Sequence, residues 1–261
     1  MTYRGTTQPR MLCLIAVLTV VVTIALQPGS LAADQPDIAS IMQKYADALG
    51  GHDVLGRIQT AKSVYQSTLM GRTITVTSLS KAPVKFVQRI QAEGMNAAVV
   101  IGFDGKTAWT QTLSGEVVKL TGTNRADVIS ESAGTNNSEI IRERWPTQLS
   151  LKPNETVDGK QYYVVAVRPQ GGSERDLLLD TQSFLPVIMR QYATSGTTLS
   201  IATKFGKGPL GEATAAVSRS IGSAGPVPDL TFTLVSTEDN IRIDDSAFAP
   251  PVPTNAPTTT T

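Results

Sequence analysis

From Ile38 onward the apolar residues Ile38, Ile41, Met42, Tyr45 and Leu49 fall at the i, i+3, i+4, i+7 and i+11 positions of a helix with one face on a core. Asp34 or Asp37 suits its start, and Gly50-Gly51 supplies the left-handed residue that ends it. Residues 52–58 add a further short helical turn, with Val54, Leu55 and Ile58 inward. After Thr60 the period changes to two. Ile74 and Val76 alternate with Thr73, Thr75 and Thr77, and Val84, Phe86 and Ile90 alternate with Lys85, Arg89 and Gln91. Strand-like runs follow at residues 97–103, 107–113, 116–120, 162–168, 176–180, 185–192, 198–205, 215–221 and 230–237. Turn signals separate them at Asp104-Gly105, Ser114-Gly115, Asp158-Gly159, Gly171-Gly172 and Ser195-Gly196. Such short spacing means hairpins, and hence an antiparallel meander.

One stretch interrupts the meander. Between Asn124 and Leu149 the pattern turns helical, with Ser138 as its cap, Ile140, Ile141, Arg144 and Trp145 near one face, and Pro146 as its stop. A large antiparallel sheet with one apolar face must cover that face, and only the opening helices and this middle segment are on hand. The expected fold class is therefore α+β, mainly antiparallel β, with a curved sheet wrapped over two or three helices.

The ends of the chain are set apart by composition. Residues 1–10 carry Arg4 and Arg10 and no acid, residues 11–26 are almost all apolar, and Ser30-Leu31-Ala32 places small residues before Ala33. This reads as a secretory signal peptide over residues 1–32, cleaved after Ala32; the apolar run is short of the roughly 20 residues that span a bilayer, and a retained anchor is the alternative. Cys13 follows bulky Leu12 and does not sit at a lipidation site. Cleavage leaves a single domain over residues 33–249 without cysteine, held by its own core. Residues 250–261, rich in Pro and Thr, read as a disordered tail.

Charge and chemistry then remove several functions. With 23 Lys and Arg against 22 Asp and Glu, and no block of like charge, nothing offers the basic footprint that nucleic acid requires. One His and one Cys cannot build a Cys/His metal site, so no metal and no cofactor are expected. His52, at the start of a short helix between Gly51 and Asp53, suits a surface or capping role, and no nucleophile elbow accompanies it. Residues 206–211 match the dinucleotide fingerprint GxGxxG, yet Pro209 removes an amide from that loop and the neighbours form hairpins instead of a βαβ unit. The carboxylate pairs Glu139/Glu143, Glu238/Asp239 and Asp244/Asp245 read as solvated faces; no catalytic residue and no enzyme activity are expected.

Four segments carry a resemblance. The stretch IMQKYADALGGHDVLGRI at residues 41–58, GFDGKTAW at 102–109, LLLDTQSFLPV at 177–187 and IRIDDSAFAPP at 241–251 stand in the order in which similar pieces occur in outer-membrane lipoprotein-sorting (LolA-like) proteins. The resemblance spans essentially the whole mature chain. It implies an unclosed β-barrel with helices as a lid over an apolar concave cavity, and a periplasmic carrier and chaperone in lipoprotein transport. Such a carrier binds acyl chains of lipids or lipoproteins and passes them between envelope donor and acceptor proteins, with transient membrane contact. The family's Arg before the Pro of the third strand, which holds the lid closed, is replaced here by Ala82 before Pro83, leaving Lys81 or Arg72 as substitutes.

On this reading the hydrophobic lining is Ile74, Val76, Val84, Phe86, Ile90, Phe232 and Leu234, and the lid residues are Ile140, Ile141 and Trp145. Each methylene kept from water is worth roughly 0.8 kcal/mol, so a lipidated cargo needs such a shelter to cross an aqueous compartment. The alternative is an envelope interaction or sensor module that uses the same fold to recognise a protein or lipid without transporting it.

Overall fold

The computed structural model describes residues 36–193, 196–221 and 229–252. The expected signal peptide at 1–32, the expected turn residue Ser195 and all but the first three residues of the expected tail at 250–261 lie outside these residues. Helix α1 (Ile38–Ala48) starts at Asp37, whose Oδ1 accepts the Ser40 amide at 2.9 Å, and buries Ile41 and Tyr45 of the stripe. Gly50 follows it with φ +122°, and a Cβ there would lie 3.1 Å from the Glu212 backbone, so this position demands glycine on both counts. Helix α2 (His52–Arg57) buries Leu55.

The strands are β1 (Thr60–Leu69), β2 (Arg72–Lys81), β3 (Lys85–Ala92), β4 (Val99–Phe103), β5 (Ala108–Gln111) and β6 (Val117–Lys119), then, after helix α3 (Gly122–Thr135), β7 (Thr147–Val157), β8 (Lys160–Pro169) and β9 (Arg175–Asp180). They end with β10 (Pro186–Ala193), β11 (Gly196–Lys207), β12 (Ala213–Ile221) and β13 (Leu230–Asp239), and a short 3-10 turn, Asp245–Phe248, closes the described chain. All thirteen strands form one antiparallel sheet in the order β6-β5-β4-β3-β2-β1-β13-β12-β11-β10-β9-β8-β7. The closing strand β13 pairs with β1, which joins the two halves of the meander, while β6 and β7 remain as free edges. The sheet is curved and unclosed, as expected. No helix among the described residues is long and apolar enough to cross a membrane.

Helices cover the concave face in two places. Ile41, Tyr45, Leu49 and Leu55 of α1 and α2 pack on Val165, Val167, Leu177 and Leu179 of β8 and β9. Val128 and Ile129 of α3 pack on Phe103, Ala108 and Val84 at the other end of the sheet. The middle helix differs from its sequence reading. It ends at Thr135, and the expected helix around Ile140 and Trp145 is a chain of turns, in which Ser138 is fully buried and caps nothing. Strand β7 also begins at Thr147, directly after Pro146, where the helical pattern was expected to run to Leu149. Its Leu149 and Leu151 alternate inward against the α1 cluster.

The convex face carries its own cluster. Trp109 stands opposite Gly102 in the β4–β5 pair, and its indole lies where a Gly102 Cβ would stand, 2.5 Å from it. The indole N–H donates to the Phe248 carbonyl at 2.9 Å. Phe248 is fully buried against Val87, Val100 and Trp109, so the terminal segment straps the outside of the sheet. Lys81 and Lys85 both reach Asp245 at 2.7 Å and hold its carboxyl down to about 2. The recurring turns have equally local causes. Asp104 Oδ1 accepts the amides of Lys106 and Thr107, and Asp180 Oδ1 accepts those of Gln182 and Ser183.

Candidate functional site

A hollow of about 380 Å³ lies on the concave face over the central strands, between the α1 cover and the α3 cover. One wall is hydroxylated and the other apolar. Strand pairing sets Thr237, Ser63, Ser78 and Gln88 side by side across β13, β1, β2 and β3, with Ser63 and Thr237 hydroxyls 3.2 Å apart and Gln88 Nε2 donating to Ser78 Oγ at 3.2 Å. The opposite wall is built from Leu49, Leu177, Met189, Ala202, Phe205 and Val217. A second, larger cleft of about 890 Å³ lies between residues 142–148 and 168–172. It has the exposed charged side chains of Arg142, Glu143 and Arg168 in its walls and no covering element, so it shelters little from water.

The seven residues expected to line a cavity are placed around the hollow and not in its wall. Register puts Ile74, Val76, Phe86 and Ile90 on the same face as Ser78 and Ser80. Tyr65, which walls the hollow, is the cross-strand partner of both Val76 and Leu234, and Val217 is the partner of Phe232. An apolar row of Leu234, Val76 and Ile90 therefore continues from the hollow along the sheet. Val84 lies before β3 and is packed under α3 with Val128 and Ile129, and Phe86 beside it is 2% exposed.

The three expected lid residues all belong to the connector between α3 and β7. Ile140 is buried in the α1 cluster with Ile141 against it, whereas Trp145 stands edge-on to Phe103 at 6.2 Å and donates to the Gln170 carbonyl. Two arginines tie this connector down, and the sequence reading assigned neither that role. Arg144 donates to the carbonyls of Leu55, Gly56, Ile58 and Asn136, which fastens α2 to the connector. Arg175, 2% exposed, donates to Glu139 Oε2 at 3.1 Å and to the Ser130 carbonyl, and Tyr45 donates to Glu139 Oε1 at 3.2 Å. Burial and the Glu139 carboxylate push the Tyr45 hydroxyl well above its ordinary value. One ion pair thus joins α1, α3, the connector and β9. Lys81, bound to Asp245 and the Ile243 carbonyl, and Arg72, reaching the Glu93 carbonyl, are engaged away from these covers.

The other chemistry-bearing groups are scattered. His52 is exposed on the first turn of α2, Asp244 caps the terminal 3-10 turn, and Lys62 meets Glu238 at 3.5 Å. Residues 206–211 form the tip of the β11–β12 hairpin, an antiparallel pair, which places no helix after the glycines. Among the described residues no three His, Cys, Asp or Glu side chains come together as a metal site.

The hairpin tip fastens the α1 cover, through Ala213 N donating to the Leu49 carbonyl at 2.9 Å. Beside it Glu212 is buried and Asp239 Oδ2 has no hydrogen-bond partner. Burial and the Glu212 carboxylate push the Asp239 carboxyl up to about 7. An acid whose value is raised on folding holds its proton in the native state after the unfolded chain has lost it, so its stabilisation is full below about pH 4 and is lost as pH rises through about 7. The urea midpoint is therefore expected to fall between pH 5 and pH 8, and Asp239→Asn to flatten that fall. Equal slopes for the two proteins would refute this assignment.

The arrangement matches known architectures. A LolA superfamily protein from Nitrosomonas europaea superposes with a TM-score of 0.52 at 16% identity, over 82% of this chain and 98% of that one. A DUF1329 family protein from Desulfovibrio piger superposes with a TM-score of 0.51 at 13% identity, again over 82% and 98%. No family model and no curated protein matches the sequence. At these identities the likeness is one of fold, and the chain has the LolA-like fold.

Proposed function

We propose that the protein is a soluble periplasmic carrier that binds acyl chains of lipids or lipoproteins on its concave face and hands them to an envelope acceptor. The observation that carries this reading is the hollow under two separate helical covers, with its apolar wall and the adjoining row of Val76, Ile90 and Leu234. Partition of a chain onto that surface removes methylenes from water at roughly 0.8 kcal/mol each, and release needs only a partner that binds the chain better. No reacting group is required, so the reading assigns no catalysis. The leader expected at residues 1–32 supports an envelope setting.

Native mass spectrometry of gently purified protein is expected to show bound lipid in stoichiometric amount, lost on mixing with acceptor vesicles. Ala202→Asp, which sets a charge in the half-buried apolar wall, is expected to weaken displacement of a hydrophobic dye by lipid at least tenfold with the circular dichroism unchanged. Protein that is free of lipid and excludes the dye would overturn the carrier reading in favour of an envelope interaction module.

A further inference from the structure

The apolar wall of the hollow ends in a charge. Val217 on β12 walls the hollow, and two residues further on the same strand face stands Arg219. The pairing register places Ser200 beside it on β11 and Leu230 beside it on β13. Arg219 is half-buried, its Nε is buried without a hydrogen-bond partner, and no carboxylate lies within ion-pair distance of it among the described residues. Elsewhere in the wall Glu139 is neutralised by Arg175, while Glu131 lies near enough to Tyr65 to raise its hydroxyl value after burial does. A partly desolvated guanidinium without an anion is costly, and one ligand anion would relieve that cost.

Building on the carrier reading, we infer that the hollow takes an amphiphile with an anionic head, carboxylate or phosphate. Its head rests on Arg219 with the Ser200 hydroxyl, and its chain runs inward over Val217, Ala202 and Met189. At about 3.3 Å of rise per residue, the guanidinium-bearing position lies about 7 Å beyond Val217, one head-group length from the start of the apolar wall. The orientation follows from charge, since Arg219 is an unpaired cation beside the apolar wall and accepts the head.

The test uses delipidated full-length protein, a hydrophobic dye, and two probes with the same chain: oleate and 1-oleoylglycerol. Arg219→Met is expected to weaken oleate at least tenfold and 1-oleoylglycerol less than twofold, and Arg219→Lys to keep most of the oleate affinity. Added salt should weaken oleate binding to the native protein more than to Arg219→Met. Oleate affinity that survives Arg219→Met within twofold overturns the inference, as does an equal loss for both probes; in both cases the carrier reading stands, because chains still bind the native protein. If neither probe displaces the dye from the native protein, the carrier reading fails and this inference with it. Inorganic phosphate and acetate at millimolar concentration should leave the dye in place; displacement by them would make Arg219 an anion site without a chain and overturn the proposal.

Discussion

Arg175→Met is expected to lower the unfolding free energy by about 3–5 kcal/mol, the usual cost of stripping one partner from a buried ion pair. Glu139 would be left at 5% exposure with only the Tyr45 hydroxyl donating to it, and the Ser130 carbonyl would lose a donor. The cost arises from the charge left behind. The double variant Arg175→Met, Glu139→Gln should therefore recover much of the loss, because a neutral amide in the same place can still accept from Tyr45. Urea midpoints of the two single variants and the double variant close a thermodynamic cycle. Simple additivity of the two single losses would mean that the pair is not a unit. A second readout bears on function. The same four groups join α1, α3, the connector and β9, so under the proposed carrier function the single variant should exchange lipid faster than the native protein at temperatures where both are folded.

Much of this architecture is written locally, and the parts that are not share a cause. The α1 stripe was legible because Ile41, Tyr45 and Leu49 contrast with charged neighbours, and the hairpins because Asp-Gly turns leave few alternatives: Asp158 and Gly159 both take positive φ between β7 and β8. Helix α3 starts at Gly122 and ends at Thr135, ahead of the cap that the pattern predicts at Ser138. Its buried positions include Ser130, Ser132 and Ala133, small side chains that let it sit close to β3, where Ser132 Oγ donates to the Val84 carbonyl and Asn136 to that of Lys85. A hydrophobic period cannot reveal a helix that packs with serine. The turns after it carry the bulky Ile140, Ile141 and Trp145, and these drew the helical reading to themselves.

The same reason hid the hydroxylated wall. Ser63, Ser78 and Ser80 alternate along their strands as solvent-facing serines do, and only the register, which sets Ser63 against Ser78 and Thr237, places them on the inside. Arg144 and Arg175 were invisible as fasteners for a different reason. Their partners, the Leu55 and Ile58 carbonyls and the Glu139 carboxylate, are remote in sequence, and nothing local marks an arginine that will be buried.

Trp109→Ala is expected to cost about 3–5 kcal/mol, the range for emptying a buried aromatic site, and to release the terminal strap as a unit. Trp109 is 2% exposed, packs with Val87, Val100 and Phe248, and holds the Phe248 carbonyl through its indole N–H. Phe248→Ala removes the other half of the same contact and should cost a similar amount, but the double variant should cost clearly less than the two together, because each single change already forfeits the shared interface. Trp109→Phe separates packing from hydrogen bonding. It keeps a ring over Gly102 and loses the N–H, and a cost of about 1–3 kcal/mol is expected for the carbonyl left without its donor. Limited proteolysis supplies the structural readout: cleavage near residues 241–248 should quicken in Trp109→Ala ahead of any cut in β1 to β3. Gly102→Val tests the geometry from the other side, since a side chain there must enter the space the indole fills, and it should mimic Trp109→Ala in protease sensitivity although it adds atoms instead of removing them. Were Gly102→Val to leave both the urea midpoint and the terminal segment unchanged, the indole would not be what fastens the strap.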